Sequence, residues 1–301
     1  CAMVIMRSCR VLIQLDKEKF KFFSNSKSFF STSNVRQLFW ESDFKGGYKS
    51  KNILSRFQLI KDGFSELKNE FKLFGKEVLQ KCESDPILLY QPGVIDKQWV
   101  LHKKEHLDQW TTTCDSDHGE GFSTCDLIIN ASGNGLFSGY LSTQVPKDGV
   151  IKRAGYCSVR TKRIRKSFKR DDYLNWGQYT HLVIKCRGDG RSYMLNITTS
   201  GYFDQLWNDM YHYVLYTRGG PYWQITKIPF SKFFFASKGR IQDMQNKIQL
   251  NKITHFGITA ADKINGPFSL EIDYIGVEYD PLHMEEFAYE MYRLPKNIAA
   301  N

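Results

Sequence analysis

The chain has 301 residues, 42% hydrophobic and 25% charged, with a formal net charge of +10. That composition fits an ordinary globular protein of one large or two modest domains. No window approaches the roughly 18 consecutive apolar residues of a membrane-spanning helix, which excludes such a span from the reading. Twenty-two Phe and sixteen Tyr favour a β-rich core. The seven cysteines (1, 9, 82, 114, 125, 157 and 186) are odd in number, irregularly spaced and without a C-x-x-C. They point to reduced thiols in a reducing compartment rather than to a secreted disulfide scaffold. The triplets Asn130-Ala131-Ser132 and Asn196-Ile197-Thr198 matter as glycosylation sites only in a secreted chain.

Residue 1 is Cys, so translation is expected to start elsewhere, at Met3 or Met6 if within this sequence. The first forty residues carry Arg7, Arg10, Lys17, Lys19, Lys21, Lys27 and Arg36 against Asp16 and Glu18. Val11-Leu12-Ile13 is too short for the apolar core of a secretory signal. The Arg-, Ser- and Phe-bearing start reads as a mitochondrial transit peptide over 1–35, with a mature N-terminus between Ser24 and Trp40. A disordered basic tail is the alternative.

Residues 36–92 read as loop plus an amphipathic helix. Phe64, Leu67, Phe71, Phe74 and Val78 recur at helical spacing, with Asp62 or Ser65 as the cap and Asp85-Pro86 as the end. Such a helix either docks on the main domain or projects from it to bind a partner. From residue 93 to 283 the pattern is short strands and Gly-rich turns. Asp126 to Asn130 is a strand before Gly133-Asn134-Gly135. Leu182, Ile184 and Cys186 alternate outward of a hairpin turn at 187–190, and Tyr193, Leu195 and Ile197 return from it. Phe268, Leu270, Ile272 and Tyr274 alternate, then the phase flips to Ile275, Val277 and Tyr279, which predicts a β-bulge over 274–276. Together these predict a two-sheet β-sandwich, followed by a tail over 284–301.

No catalytic constellation is visible, and no metal or cofactor is expected. His102 and His106 share i, i+4 spacing without a metalloprotease motif around them. Asp115, Asp117 and Glu120 beside Gly119 and Gly121 offer oxygen ligands of the calcium kind, but without EF-hand spacing they read as a solvated acidic loop. Arg187-Gly188-Asp189 matches the adhesion tripeptide and reads as an ordinary turn. The run 160–170 carries Arg160, Lys162, Arg163, Arg165, Lys166, Lys169 and Arg170. With no base-stacking motif beside it, this run is expected to contact anionic lipid rather than nucleic acid, or else to be a solvated loop.

The densest stretch in aromatics, Gly and Pro is Thr217 to Phe235. It reads as strand, tight turn at Gly219-Gly220-Pro221, and strand, with Pro229 ending the pairing. It is either core at a sheet corner or an aromatic patch for a protein partner. Arg218, Tyr222, Trp223, Phe233, Phe234 and Phe235 are the candidate partner-binding residues, with Trp223 expected in the core and at least one of the three Phe at the interface.

The segments T-R-G-G-P-Y-W-Q (217–224), K-I-P-F-S-K-F-F-F (227–235), R-G-D-G-R (187–191), G-P-F-S-L-E-I-D-Y-I-G-V (266–277) and E-E-F-A-Y-E (285–290) resemble the complex I intermediate-associated protein family. The resemblance runs from Trp99 to Glu290 in consistent order. It implies an all-β, galactose-binding-domain-like β-sandwich (jelly roll), here with an N-terminal helical extension. It also implies a chaperone-like assembly factor in the mitochondrial matrix, peripherally associated with the inner membrane. Its partners would be membrane-arm intermediates of complex I and other assembly factors, including an acyl-CoA dehydrogenase homologue. A carbohydrate- or nucleotide-binding β-sandwich module is the alternative of a different class.

Overall fold

The computed structural model describes residues 56–83, 90–149, 151–200 and 209–289, without the side chains of 56–60 and 169. The expected transit peptide lies outside these residues, as does the tail beyond 289. The described residues all belong to one unit by their contacts.

Segments rich in β-branched and aromatic residues become fifteen strands among the described residues. They are β1 (Ile95–Val100), β2 (Trp110–Cys114), β3 (Thr124–Ile129), β4 (Gly135–Leu141), β5 (Cys157–Thr161), β6 (Arg165–Lys166), β7 (Arg170–Asp171) and β8 (His181–Gly188). Then follow β9 (Ser192–Thr199), β10 (Asp209–Tyr216), β11 (Gln224–Pro229), β12 (Phe234–Ser237), β13 (Arg240–Ile241), β14 (Ile253–Ala260) and β15 (Gly266–Glu278). The first sheet runs β11-β8-β15-β4-β3, with β1 also paired to β15. The second runs β13-β12-β10-β9-β14-β5-β2, while β6 and β7 pair only with each other. A two-sheet β-sandwich with a helix near its N-terminus is the observed architecture, as expected.

The core fills the space between the sheets. Trp99 stacks on Phe256 with ring centroids 5.6 Å apart and meets Trp110 and Trp176 edge-on at 5.6 and 5.9 Å. Such pairs add to the area they bury because ring edges are positive and faces negative. β15 is the spine of the first sheet: 266–272 pair with β4, 274–278 pair with β1, and β8 runs along its other side. Its register against β8 shifts between Ile272 and Tyr274, so the bulge falls at Asp273, just before the expected stretch. The extra residue lets Phe268, Leu270 and Ile272 before it, and Ile275 and Val277 after it, all face the core.

The hairpin expected at 187–190 is corrected. β8 belongs to the first sheet and β9 to the second, so this turn carries the chain across the sandwich. The same holds for Thr217 to Tyr222, which joins β10 of the second sheet to β11 of the first. Alternating apolar residues on two consecutive strands fit two strands that face each other as well as two that pair. Pro229 is the last residue of β11, an edge strand, where its missing N–H leaves no ladder bond broken.

Helix α1 (Arg56–Cys82) begins before the expected caps, so Asp62 and Ser65 lie inside it. A second, one-turn helix, α2 (Lys104–Leu107), follows β1.

Candidate partner-binding surface

The two crossing loops nest against each other and set one corner of the molecule. Thr217 Oγ1 donates to the Arg191 carbonyl at 2.7 Å and accepts from the Gly190 N–H at 3.1 Å. A Cβ on Gly188 would fall 2.3 Å from the Thr217 Cβ, so only glycine fits there. Asp189 accepts from the N–H of Arg191 at 3.0 Å and that of Ser269 at 2.8 Å, and from the Tyr193 hydroxyl at 3.1 Å. Its tripeptide is thus a turn whose carboxylate is occupied inside the chain.

Beside this corner, the outer face of the first sheet carries an ordered network. Residues opposed in antiparallel register share a face: Arg187 opposes Glu271, and Lys185 opposes both Tyr274 and Ile225. Arg187 forks onto Glu271, with Nε at 2.8 Å. Asn130 and Asn134 donate to the other Glu271 oxygen at 2.6 and 2.9 Å. Burial raises the Glu271 carboxyl, and hydrogen bonds from Asn134, Asn130 and Arg187 outweigh it, leaving it below its ordinary value. Asp273, on the bulge, bonds Lys185 and His102, each at 2.6 Å. Burial likewise raises Asp273, and these two hydrogen bonds carry it below its ordinary value. Lys227 pairs with Glu278 on the same face.

Trp223 roofs this network. Its ring lies 5.2 Å from the Arg187 guanidinium and 5.4 Å from Lys185 Nζ, within cation–π range. Trp223 is half-buried and outside the core, which corrects the expectation that it fills the interior. It follows the crossing loop on the outward phase of β11, opposite the phase of buried Ile228. Tyr222 is 79% exposed and Tyr216 77%, and Arg218 and Ile225 are exposed with them. The Gln224 side chain ties the loop together: its Nε2 donates to the Tyr216 carbonyl at 3.2 Å, and its Oε1 accepts from the Arg218 N–H at 2.9 Å. Arg218, Tyr222 and Trp223 therefore lie together.

The three consecutive Phe stand elsewhere and divide as a strand requires. Phe233 is fully buried against Tyr213 and Phe230, so it is core rather than surface. Phe235 opposes Tyr211 on the inner face, ring centroids 5.3 Å apart. Phe234 opposes His212 on the outer face of the second sheet, where Tyr289 meets it edge-on at 6.3 Å. The segment 285–289 is held there: the Ala288 N–H donates to the Ser231 carbonyl at 3.1 Å and the Tyr289 hydroxyl to that of Lys232 at 2.7 Å. The chain's own C-terminal segment thus packs against the outward Phe.

The basic run is largely occupied by internal contacts. Arg163 pairs with Asp171 at 3.2 Å, Lys166 with Asp172 at 2.8 Å, and Arg170 with Glu77 of α1. Arg160 is half-buried, and burial pulls its guanidinium below its ordinary value. Lys162 and Arg165 are exposed, and the Lys169 side chain lies outside the described residues. Phe168 adopts a left-handed conformation (φ 58°) that turns the N–H groups of Ser167 and Phe168 toward Glu77 and Glu70. Its ring meets Phe71 and Phe74 edge-on at 5.3 and 5.8 Å.

The acidic loop is also corrected. Asp115 is fully buried rather than solvated, and accepts from the N–H groups of Ser123 and Gly155 at 2.8 Å and from Ser123 Oγ at 3.0 Å. It pins the loop. His102 is engaged with Asp273 while His106 sits in α2, and no group of three His, Cys, Asp or Glu suited to a metal occurs among the described residues. Asn196 is buried and bonded to Thr259, so its triplet is no surface acceptor.

Glu271, Asp273 and Lys185 were not singled out from the sequence, and Arg187 was read only as part of a turn. Their signal was present as the polar phase of two alternating strands, but a polar phase ordinarily means only solvent. The network appears once the register sets each acid opposite its base.

Among solved structures, the chain is similar to the family 11 carbohydrate-binding module of the cellulosomal cellulase Lic26A-Cel5E of Clostridium thermocellum. The identity is 16% over 64% of this chain and 99% of that one, with a TM-score of 0.44. The family 30 carbohydrate-binding module gives a TM-score of 0.36 at 12% identity, covering 68% of this chain and 94% of the module. By sequence, it is 57% identical to the mitochondrial complex I intermediate-associated protein 30 of Drosophila melanogaster, over 89% of this chain and 92% of that protein. The mouse protein of the same name is 45% identical over 68% of this chain and 61% of its own length. The model of the family described as complex I intermediate-associated protein 30 matches residues 99–272, which run from β1 into the bulged spine β15. The chain belongs to the complex I intermediate-associated protein 30 family.

Proposed function

We propose that this protein is a mitochondrial assembly factor for respiratory complex I. In this reading it acts without catalysis, on the matrix side of the inner membrane, by holding intermediates of the membrane arm through protein–protein contacts. It works in a multi-protein assembly complex with other factors, among them an acyl-CoA dehydrogenase homologue. The observation that carries the reading is the 57% identity to the mitochondrial complex I intermediate-associated protein 30 of Drosophila melanogaster over nearly its whole length. The partner surface is the corner bearing Arg218, Tyr222 and Trp223. Exposed Tyr and Arg beside a half-buried Trp combine large contact area with a polar handle, and the nested loops hold them in place, which limits the entropy lost on binding.

The test is rescue of a null cell line. The wild-type chain restores complex I on native gels and co-purifies with membrane-arm subunits from detergent-solubilised mitochondria. Combined Arg218→Ala, Tyr222→Ala and Trp223→Ala keeps the protein abundant and loses both readouts. Full rescue by the triple variant would move the partner surface elsewhere on the sandwich; failure of the wild-type chain to rescue would sink the function itself.

A further inference from the structure

Helix α1 is 27 residues long, about 40 Å at 1.5 Å per residue. At about 3.6 residues per turn, Phe64, Leu67, Phe71, Phe74 and Val78 form one stripe. The face that touches the sandwich is not this stripe but the one beside it, through Glu70 and Glu77. Phe71 and Phe74 meet Phe168 along one margin, yet Phe64 remains 70% exposed and Phe71 60%, with Leu67, Phe74 and Val78 also open. A row this long and apolar is seldom left to water in a monomer.

Charge decides among the occupants. Glu70, Glu77 and, further round, Glu66 flank the stripe on the side of the sandwich, while Asp62 falls on the face opposite it. Lys68, Lys61 and Lys72 lie beside the stripe on its other side, all exposed, with no acidic residue of the helix among them, while Lys76 falls on the face opposite the stripe. A second copy packed antiparallel would set lysine against lysine, because like flanks meet in that arrangement. A parallel pair would turn the lysines to glutamates already bonded to residues 167–170. An anionic membrane surface suits the pattern directly: an apolar Phe- and Leu-bearing face with a lysine-rich border is that of a helix lying in the interface plane.

We propose that α1, braced by the loop at 167–170, lays its 64–78 stripe into an anionic membrane surface. It is this helix rather than the basic run as a whole that makes the membrane contact. The inference rests on the proposed function only for which membrane is meant. Flotation of the full chain with vesicles of phosphatidylcholine alone, or mixed with phosphatidylglycerol, tests it. The wild type is expected to float with the anionic vesicles and to lose binding as salt rises. Changing Lys61, Lys68 and Lys72 to Ser lowers partition about 100-fold at low salt, on about 1 kcal/mol for each cation. Phe64→Ser with Leu67→Ser lowers it at least about 10-fold at every salt concentration, and Tyr222→Ala leaves it unchanged. Equal flotation of the stripe variant and the wild type, no flotation of the wild type, or a concentration-dependent dimer abolished by the stripe variant would each overturn the inference. Rescue of the null line by a variant that no longer floats would leave the membrane contact standing and show that assembly does not depend on it. Lost rescue by the corner variant with normal flotation bears on the assembly reading alone.

Discussion

Strand β15 and helix α1 each present a row of apolar side chains at the period of its own backbone. In β15, Phe268, Leu270, Ile272, Ile275 and Val277 are at most 2% exposed, facing the second sheet across the core. In α1, Phe64, Leu67, Phe71, Phe74 and Val78 stay open, and the helix is held instead by carboxylates on loop N–H groups and on Arg170. The outer faces differ as well. On β15 each charge of Glu271, Asp273 and Glu278 meets a base on β8 or β11 or in the chain after β1. On α1 the lysine border faces outward. A periodic apolar row therefore reports which element forms, while what covers the row depends on the layer placed opposite it.

The largest expected effect is in the core of β15. Leu270→Ala should cost about 2–5 kcal/mol, read from urea unfolding, because a close-packed site relaxes only partly around the lost methyls. If Phe64→Ala on α1 costs as much, the contrast is broken; a change within about 0.5 kcal/mol keeps it.

A second test uses acid. Burial holds His212 neutral on the outer face of the second sheet, its pKa pushed down to about 4 from 6.5. Between those values the unfolded chain binds a proton that the folded chain refuses, so stability is present above pH 6.5 and is lost as pH falls toward 4. The loss is of order 3 kcal/mol. His212→Asn should make the stability profile shallower over that window, with the part due to His255, which burial pushes down to about 3, remaining, and should leave α1 helicity unchanged.

The outer network comes next. Glu271→Ala leaves the Asn130 and Asn134 amides and Arg187 without their acceptor and should cost about 1–3 kcal/mol at pH 7. Because the Glu271 carboxyl is held below its ordinary value, its contribution is present above the ordinary carboxylate range and is lost as pH falls through the lowered value. Wild type and Glu271→Gln should therefore converge in acid denaturation. Curves that stay apart at low pH would assign the loss to packing instead.

The smallest stability change belongs to the corner. Trp223→Ala removes two cation–π contacts at a half-buried position and should cost roughly 1 kcal/mol, with a melting temperature only slightly lowered. Co-purification of assembly partners should fall far more. A drop of 3 kcal/mol or more would return Trp223 to the core and remove it from the partner surface.

The sequence by itself determined the sandwich, the amphipathic helix and the family. Alternation placed the inner face of β8, β9 and β15, the apolar spacing placed α1, and the phase flip located the bulge of β15 to within a residue or two. It also divided Phe233, Phe234 and Phe235 between two faces, because neighbours on a strand cannot share one. Tertiary structure decided whatever depends on a partner distant in the chain. Strands facing across the core and strands paired in one sheet carry the same alternation, so the crossings at 187–191 and 217–224 read as hairpins. A tryptophan beside a turn is apolar in any composition, and only the register of β11 against β8 set Trp223 above Lys185 and Arg187. Asp115 looked like any acid in a glycine-rich loop until Ser123 and Gly155 supplied its donors. Likewise Arg170 of the basic run looked like a free cation until Glu77 of α1 met it. Local periodicity is set by the backbone of each element and is written in consecutive residues, whereas pairing and charge neutralisation are set by which elements come to lie together.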